Sequence, residues 1–128
     1  MDSTKIVLSI LEETYIIHKL AQSTNLPEGL IWYEFYSLSN SQEELSLVCP
    51  EQILIQSENN SPNWKCLKVA GPLDLNLTGI LAGLSDTLAK AKIRIFAIST
   101  FETDYLLIQE QVLETAKTAL ESAGYKFI

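Results

Sequence analysis

The sequence predicts an α+β fold, with a four-stranded antiparallel sheet and two helices on one face in βαββαβ order over the second half of the chain and a shortened copy of the plan before it. Three observations carry this. Residues 64–128 switch between the period-2 pattern of strands and the period-3.6 pattern of helices in that order. Two of those segments form one-sided apolar stripes, as amphipathic helices do. The 128 residues, 47% of them hydrophobic, supply apolar surface for a core without disulfide or metal staples.

Taken in order, KIVLSILEETYIIHKL suggests two adjacent strands with Glu12, Glu13 and Thr14 in the turn between them. LPEGLIWYEF reads as a short helix or a 3₁₀ turn entering a strand, and WYEFYSLSNSQEELSLVCP as a hairpin around SNSQEE. PEQILIQ fits one helical turn or an edge strand. No full helix is visible here, so this half is a degenerate copy of the other. QSENNSPNW, residues 56–64, interrupts the apolar regions with turn formers and Pro62, which sets the halves at residues 1–61 and 62–128.

In the second half, WKCLKVAG alternates as a strand, with Trp64, Cys66 and Leu67 to Val69 toward the core. LNLTGILAGLSDTLAKAK sets Leu77, Ile80, Leu81, Leu84, Leu88 and Ala91 on one helical stripe. IRIFAIST and DYLLIQ form an antiparallel hairpin whose loop is too long for a two-residue turn. EQVLETAKTALESAG is a second helix with Val112, Leu113, Ala116, Leu120 and Ala123 inward and Gly124 as its stop, and YKFI is a final strand. Two crossovers of this kind give a ferredoxin-like unit.

Composition narrows the function. Nine basic against sixteen acidic side chains leave a net charge of −7, which repels phosphate backbones and anionic membrane surfaces, so neither nucleic acid nor membrane is expected as a partner. No apolar run approaches the roughly 18 residues a bilayer-spanning helix needs, and the acidic N-terminus shows no cleavable signal, so a cytoplasmic location is expected. Cys49 and Cys66 lie in apolar runs that suit buried free thiols, with a disulfide or reactive pair as the alternative. The sole histidine, His18, has no metal-ligand set near it in sequence, and no base stands by Ser99, Cys49 or Cys66. Phosphate-cradling glycine motifs are absent. No catalytic set, metal or cofactor is therefore expected. The aromatic cluster of Trp32, Tyr33, Phe35 and Tyr36 fits packing between the halves or a dimer contact.

VAGPLDLNLTGILAGLSDTLAKAKIRIFAISTFETDYLLI resembles an ACT domain, a βαββαβ module that binds amino acids and regulates enzymes or signalling proteins. The order of strand, glycine-containing loop, TGILAGL helix start and AKIRIFAIST strand entering a polar hairpin carries the resemblance. The regulatory regions of aspartate kinases look similar over this span. FAISTFETDYLLI and ELSLVCPE are closest to small tandem ACT proteins, relatives of the cytosolic arginine sensors of animals. Asn76 stands where many ACT domains carry an acid and Thr78 where they carry proline, so the aspartate that usually meets the ligand's ammonium is lacking at 76, with Asp74 two residues away.

An amino-acid pocket needs donors for a carboxylate and acceptors for an ammonium converging from different segments. GPLDLNLTG enters a helix start, where four backbone N–H groups lack intrahelical partners and the dipole favours an anion, although Asp74 or Asn76 as a simple helix cap explains the same residues. In ISTFETDYLLI, Asp104 suits an ammonium, Ser99 and Thr100 offer hydroxyls, and Phe101 could cover a ligand side chain; a hairpin in which Thr103 or Asp104 bonds its own backbone is the plain alternative. The resemblance implies a site from both segments: Gly71, Pro72, Leu73, Asp74, Asn76, Leu77, Thr78 and Gly79 with Ser99, Thr100, Phe101, Thr103 and Asp104. LSLVCP, with Ser46, Val48 and Cys49, could furnish a facing edge. The expected function is a non-enzymatic regulatory or sensor protein that binds a small amino acid at an ACT interface, in a homodimer or with a regulated partner protein. The alternative is an ACT-like dimerisation or interaction module without a small-molecule ligand.

Overall fold

Nine strands and helices follow one another as β1 (Val7–Leu20), β2 (Ser37–Asn40), β3 (Leu45–Pro50), β4 (Asn59–Val69), α1 (Ile80–Lys90), β5 (Phe96–Ser99), β6 (Asp104–Gln109), α2 (Leu113–Ser122) and β7 (Lys126–Phe127) in the computed structural model, which describes residues 6–70 and 79–128. They fall into two units, Met1–Glu12 with Lys65–Ile128 and Glu13–Trp64.

The first of these carries the predicted α+β plan with one strand added. Its strands run β7-β1-β4-β6-β5. The N-terminal part of β1 pairs in parallel with β7, Val7 opposite Lys126 and Leu8 opposite Phe127, while Ala70 N–H donates to the Val7 carbonyl at 2.8 Å beside β4. Successive strand residues face opposite ways, and the face that includes Leu8, Leu67, Val69, Leu106 and Ile108 packs against Ile80, Leu84 and Leu88 of α1 and Ala116 and Leu120 of α2. Both helices therefore cover one side of the sheet. The predicted α1 stripe places Leu84 and Leu88 at 0% exposure; Leu77 lies outside the described residues. Gly83 sits where a Cβ would lie 2.8 Å from the Tyr125 hydroxyl, so only a residue without a side chain lets that phenol reach α1. Burial pushes the Tyr125 phenol up, and the carboxylate of Asp86 adds to this while a hydrogen bond with Thr87 opposes it.

The second unit contains β2, β3, the C-terminal part of β1 and the start of β4, with Glu58 N–H donating to the Lys19 carbonyl at 2.9 Å. Its core gathers Leu20, Leu30, Leu45, Leu47 and Cys49, with Leu26, Ile53 and Ile55 packed against them. The hairpin read around SNSQEE is present, closed by Ser41 N–H to the Glu44 carbonyl at 2.9 Å, and LPEGLIWYEF forms a 3₁₀ turn, Glu28–Trp32. Tyr15 and Phe35 meet edge to face with ring centroids 6.0 Å apart.

Three local expectations need correction. KIVLSILEETYIIHKL is one continuous strand, not two, because Glu12-Glu13-Thr14 lacks the Gly, Asn or Pro a reversal requires and the ladder continues from Tyr15 opposite Pro50. Part of the expected joint is strand: β4 begins at Asn59, and Asn63 absorbs a positive φ of 68° within it, a conformation asparagine tolerates better than most residues. LSLVCP is not an edge, since β3 is paired with β1 on one side and β2 on the other. Cys49 and Cys66 are buried and not joined in a disulfide, and burial pushes the Cys49 thiol up to about 11.

His18 stands out in this core. It lies opposite Leu47 on the face that includes Leu20 and Leu45, it is 5% exposed, and neither ring nitrogen has a hydrogen-bond partner among the described residues. Desolvation lowers its pKa below 6.5, so the folded chain holds it neutral while the unfolded chain takes up a proton near 6.5. Stability is then full above pH 6.5 and falls as pH drops from there toward the folded value, with a slope of at most about 1.4 kcal/mol per pH unit. In His18→Leu this slope is expected to vanish between pH 7 and 5, measured as urea midpoints at each pH; an unchanged slope would assign the acid sensitivity elsewhere.

Candidate functional site

The β5–β6 hairpin follows from its residues. Ser99 pairs with Asp104 across the strands, leaving Thr100, Phe101, Glu102 and Thr103 as the loop. Thr100 N–H donates to the Thr103 carbonyl at 2.8 Å, and the Thr100 hydroxyl both donates to that carbonyl at 3.1 Å and accepts from Thr103 N–H at 3.2 Å. These bonds are what Ser and Thr offer in tight loops, and they engage the Thr100 hydroxyl as both donor and acceptor. The Ser99 hydroxyl donates to Oδ1 of Asp104 at 2.6 Å, which occupies one of about four acceptor positions on that carboxylate.

Thr103 turns the other way. It is buried, and its hydroxyl donates to the carbonyl of Val69, the last residue of β4. One side chain thus ties the hairpin to the end of β4. The Thr103 carbonyl and N–H are engaged within the loop, while its hydroxyl, donating to Val69, keeps its acceptor capacity. Ser99 and Phe101 are exposed, Phe101 at 78%, and Asp104 is half-buried.

The far end of the connection is Gly79, the N-cap of α1, at φ 83° and ψ −3°. A residue with a Cβ is strained there, so the backbone alone accounts for glycine. Among the described residues, no atom beyond its chain neighbours and its own helix lies within 4 Å of where its Cβ would be, and Gly79 has no side chain with which to cap the first-turn N–H groups. Gly71, Pro72, Leu73, Asp74, Asn76, Leu77 and Thr78 lie outside the described residues.

Of the expected set, Ser99, Thr100, Phe101, Thr103 and Asp104 share one hairpin, and Thr103 joins it to the strand that leads toward Gly79. Val69 was missed. Its part is a backbone carbonyl contact with a residue 34 positions later, which no residue type announces. Among the described residues no three His, Cys, Asp or Glu side chains could hold a metal ion, and no helix is long and apolar enough to cross a membrane.

Residues 60–122 match the family model of the ACT domain. The chain is also similar to a protein of Agobacterium tumefaciens, with 33% identity and a TM-score of 0.86 over 96% of this chain and 92% of that one. The chain belongs to the ACT-domain proteins. Its fold is shared with aspartate kinase of Clostridium acetobutylicum, at 15% identity and a TM-score of 0.64 over 91% of this chain and 34% of that enzyme. It is shared too with the ligand-free regulatory subunit of aspartate kinase from Thermus thermophilus, at 10% identity and a TM-score of 0.62 over 91% of this chain and 95% of that one. The fold of this ACT-domain protein is thus one that the Thermus thermophilus regulatory subunit also has.

The Thr103 link has a measurable worth. In Thr103→Val the shape is kept, while the Val69 carbonyl loses its hydroxyl donor, so unfolding is expected to become easier by about 1–3 kcal/mol. Faster hydrogen exchange at the amides of Thr103 and Asp104 should accompany it. An unchanged denaturation midpoint would mean the bond does not position the hairpin.

Proposed function

We propose that this ACT-domain protein is a non-enzymatic, cytoplasmic sensor that binds a free amino acid between the start of α1 and the β5–β6 hairpin, and passes the state of that site to a second copy or a regulated partner protein. The observation that carries the reading is the Thr103 hydroxyl on the Val69 carbonyl, which brings the Asp104 hairpin to the strand end that feeds the helix start. At one end of such a site, backbone N–H groups at the positive pole of α1 receive the ligand carboxylate. At the other, Asp104 accepts from the ammonium, and Phe101 lies over the side chain. Asp74 and Asn76 supply further polar groups from the connection. Family membership and the kinship in fold with aspartate kinase regulatory subunits support this reading.

A second reading draws on the hairpin itself: its threonine hydroxyls are satisfied internally, as a closed interaction module without a ligand would have them. Light scattering with and without each amino acid separates the two, since the module assembles identically in all of them.

A thermal-shift series over the proteinogenic amino acids tests the sensor reading. A ligand at 100 times its dissociation constant adds about 2.7 kcal/mol of stability, a rise of several degrees in Tm. Asp104→Ala is expected to abolish that rise while lowering the ligand-free stability by no more than about 1 kcal/mol, the worth of one exposed hydrogen bond. If no amino acid raises Tm, the sensor reading fails; if one does and Asp104→Ala responds equally, Asp104 leaves the site.

A further inference from the structure

The unit Glu13–Trp64 carries a surface that the amino-acid site does not use. Seven of the sixteen acids of the chain lie in it, against Lys19 alone among Lys and Arg, so it holds a net charge of −6 out of −7. Six of those glutamates are exposed. The same unit holds five of the seven large hydrophobic side chains that stand exposed among the described residues, foremost Ile31 at 68%, Trp32 at 82% and Leu54 at 91%.

These side chains are not scattered. Ile31 and Trp32 end the 3₁₀ turn that begins at exposed Glu28. Within that turn, Gly29 has its Cβ position 4.0 Å from Cδ1 of Ile53, so the turn lies against the stretch that carries Leu54. Alongside, Pro27 and Leu54 help wall an open cleft of about 530 Å³, in which Glu58 is the one charged lining residue. Clustered exposed apolar side chains mark interaction sites, whereas single ones need no explanation.

The charge decides among occupants. A second copy of this chain presents the same −6 unit and is repelled from it face to face, and anionic lipid or nucleic acid is repelled likewise. A polypeptide with bulky apolar residues flanked by Lys or Arg matches both features. We infer that the face formed by Ile31, Trp32 and Leu54, with Glu28 and Glu58 at its margin, docks a basic amphipathic segment of another protein. Its aromatic and aliphatic side chains act as the buried anchors, and the glutamates steer and orient the incoming chain. The inference does not rest on the amino-acid site, and either can fail without the other.

Fluorescence anisotropy with three labelled peptides of equal length tests it on the full chain: an amphipathic Lys/Leu peptide, a Glu/Leu peptide of the same pattern, and a Lys/Ser peptide. The Lys/Leu peptide is expected to bind at least about tenfold more tightly than either control and to weaken as salt shortens the Debye length. Ile31→Ser with Trp32→Ser, both at exposed positions, should weaken it about tenfold, and Glu28→Lys with Glu58→Lys should shift preference toward the Glu/Leu peptide. Ile128→Ser, exposed in the other unit, should leave affinity unchanged. Equal binding of all three peptides, or an unchanged affinity in the Ile31/Trp32 variant, overturns the proposal. So does self-association, or binding to phosphatidylserine vesicles, that the same variant abolishes, since the face then belongs to a second copy or to a membrane.

Discussion

Between β4 and β7 lies a strand from the opposite end of the chain, and the unit around it depends on that insertion. β7 is two residues long and is held by the N-terminal part of β1. Lys126 N–H donates to the Ile6 carbonyl at 3.3 Å and Ile128 N–H to the Leu8 carbonyl at 2.9 Å. Remove β1 and two strand edges lose their partners together, at a cost for every buried N–H and carbonyl left without one. Ile6 and Leu8 also fill the core beneath the helices, beside Leu67 and Val69. Hence residues 65–128, although they hold the whole βαββαβ order, lack a strand when taken alone.

That insertion bears on the site through β4. With β1 on one side and β6 on the other, β4 is an interior strand, and its last residue is fixed by the Ala70 to Val7 hydrogen bond next to it. The Val69 carbonyl is therefore a stationary acceptor, and Thr103 anchors the hairpin to it. A loop whose hydroxyls all met water would sample many positions; this one is held at two places, the Thr100–Thr103 closure and the Thr103–Val69 bond. Held in this way, Asp104 contributes less lost conformational entropy to any binding event.

How much of this was readable from residues alone depends on the range of the interaction. Leu84 and Leu88 declared their helix because the pattern that buries them is local, and the Ser99–Asp104 hairpin declared itself by two apolar runs around a polar loop. The length of β1 was not readable: Glu12 and Glu13 suggest solvent and hence a turn, yet in the strand Lys65 donates to the Glu12 carbonyl at 3.0 Å and Gln52 to the Glu13 carboxylate, partners 53 and 39 positions away. The Asn-rich stretch before Trp64 misled in the same way, since turn formers there serve a strand with one left-handed residue at Asn63. For the site, residue types marked the hairpin, but the role of Thr103 depended on a strand end that only the folded chain brings near.

The division of charge between the units suits the two proposed kinds of recognition. Outside Glu13–Trp64 the chain is close to neutral, −1 of the −7, and a free amino acid with an uncharged side chain, a zwitterion of no net charge, gains little from a net-charge field. Its selection must come from donors and acceptors at contact, where a carboxylate such as Asp104 exchanges a neutral hydroxyl donor for a charged one and gains roughly twofold in hydrogen-bond strength. A cationic polypeptide behaves oppositely: net charge raises its encounter rate over about 10 Å, before any side chain touches, and contact specificity follows from the apolar anchors. Six of the seven net charges belong to the unit that does not contain the hairpin, so each proposed task draws on the charge of its own unit.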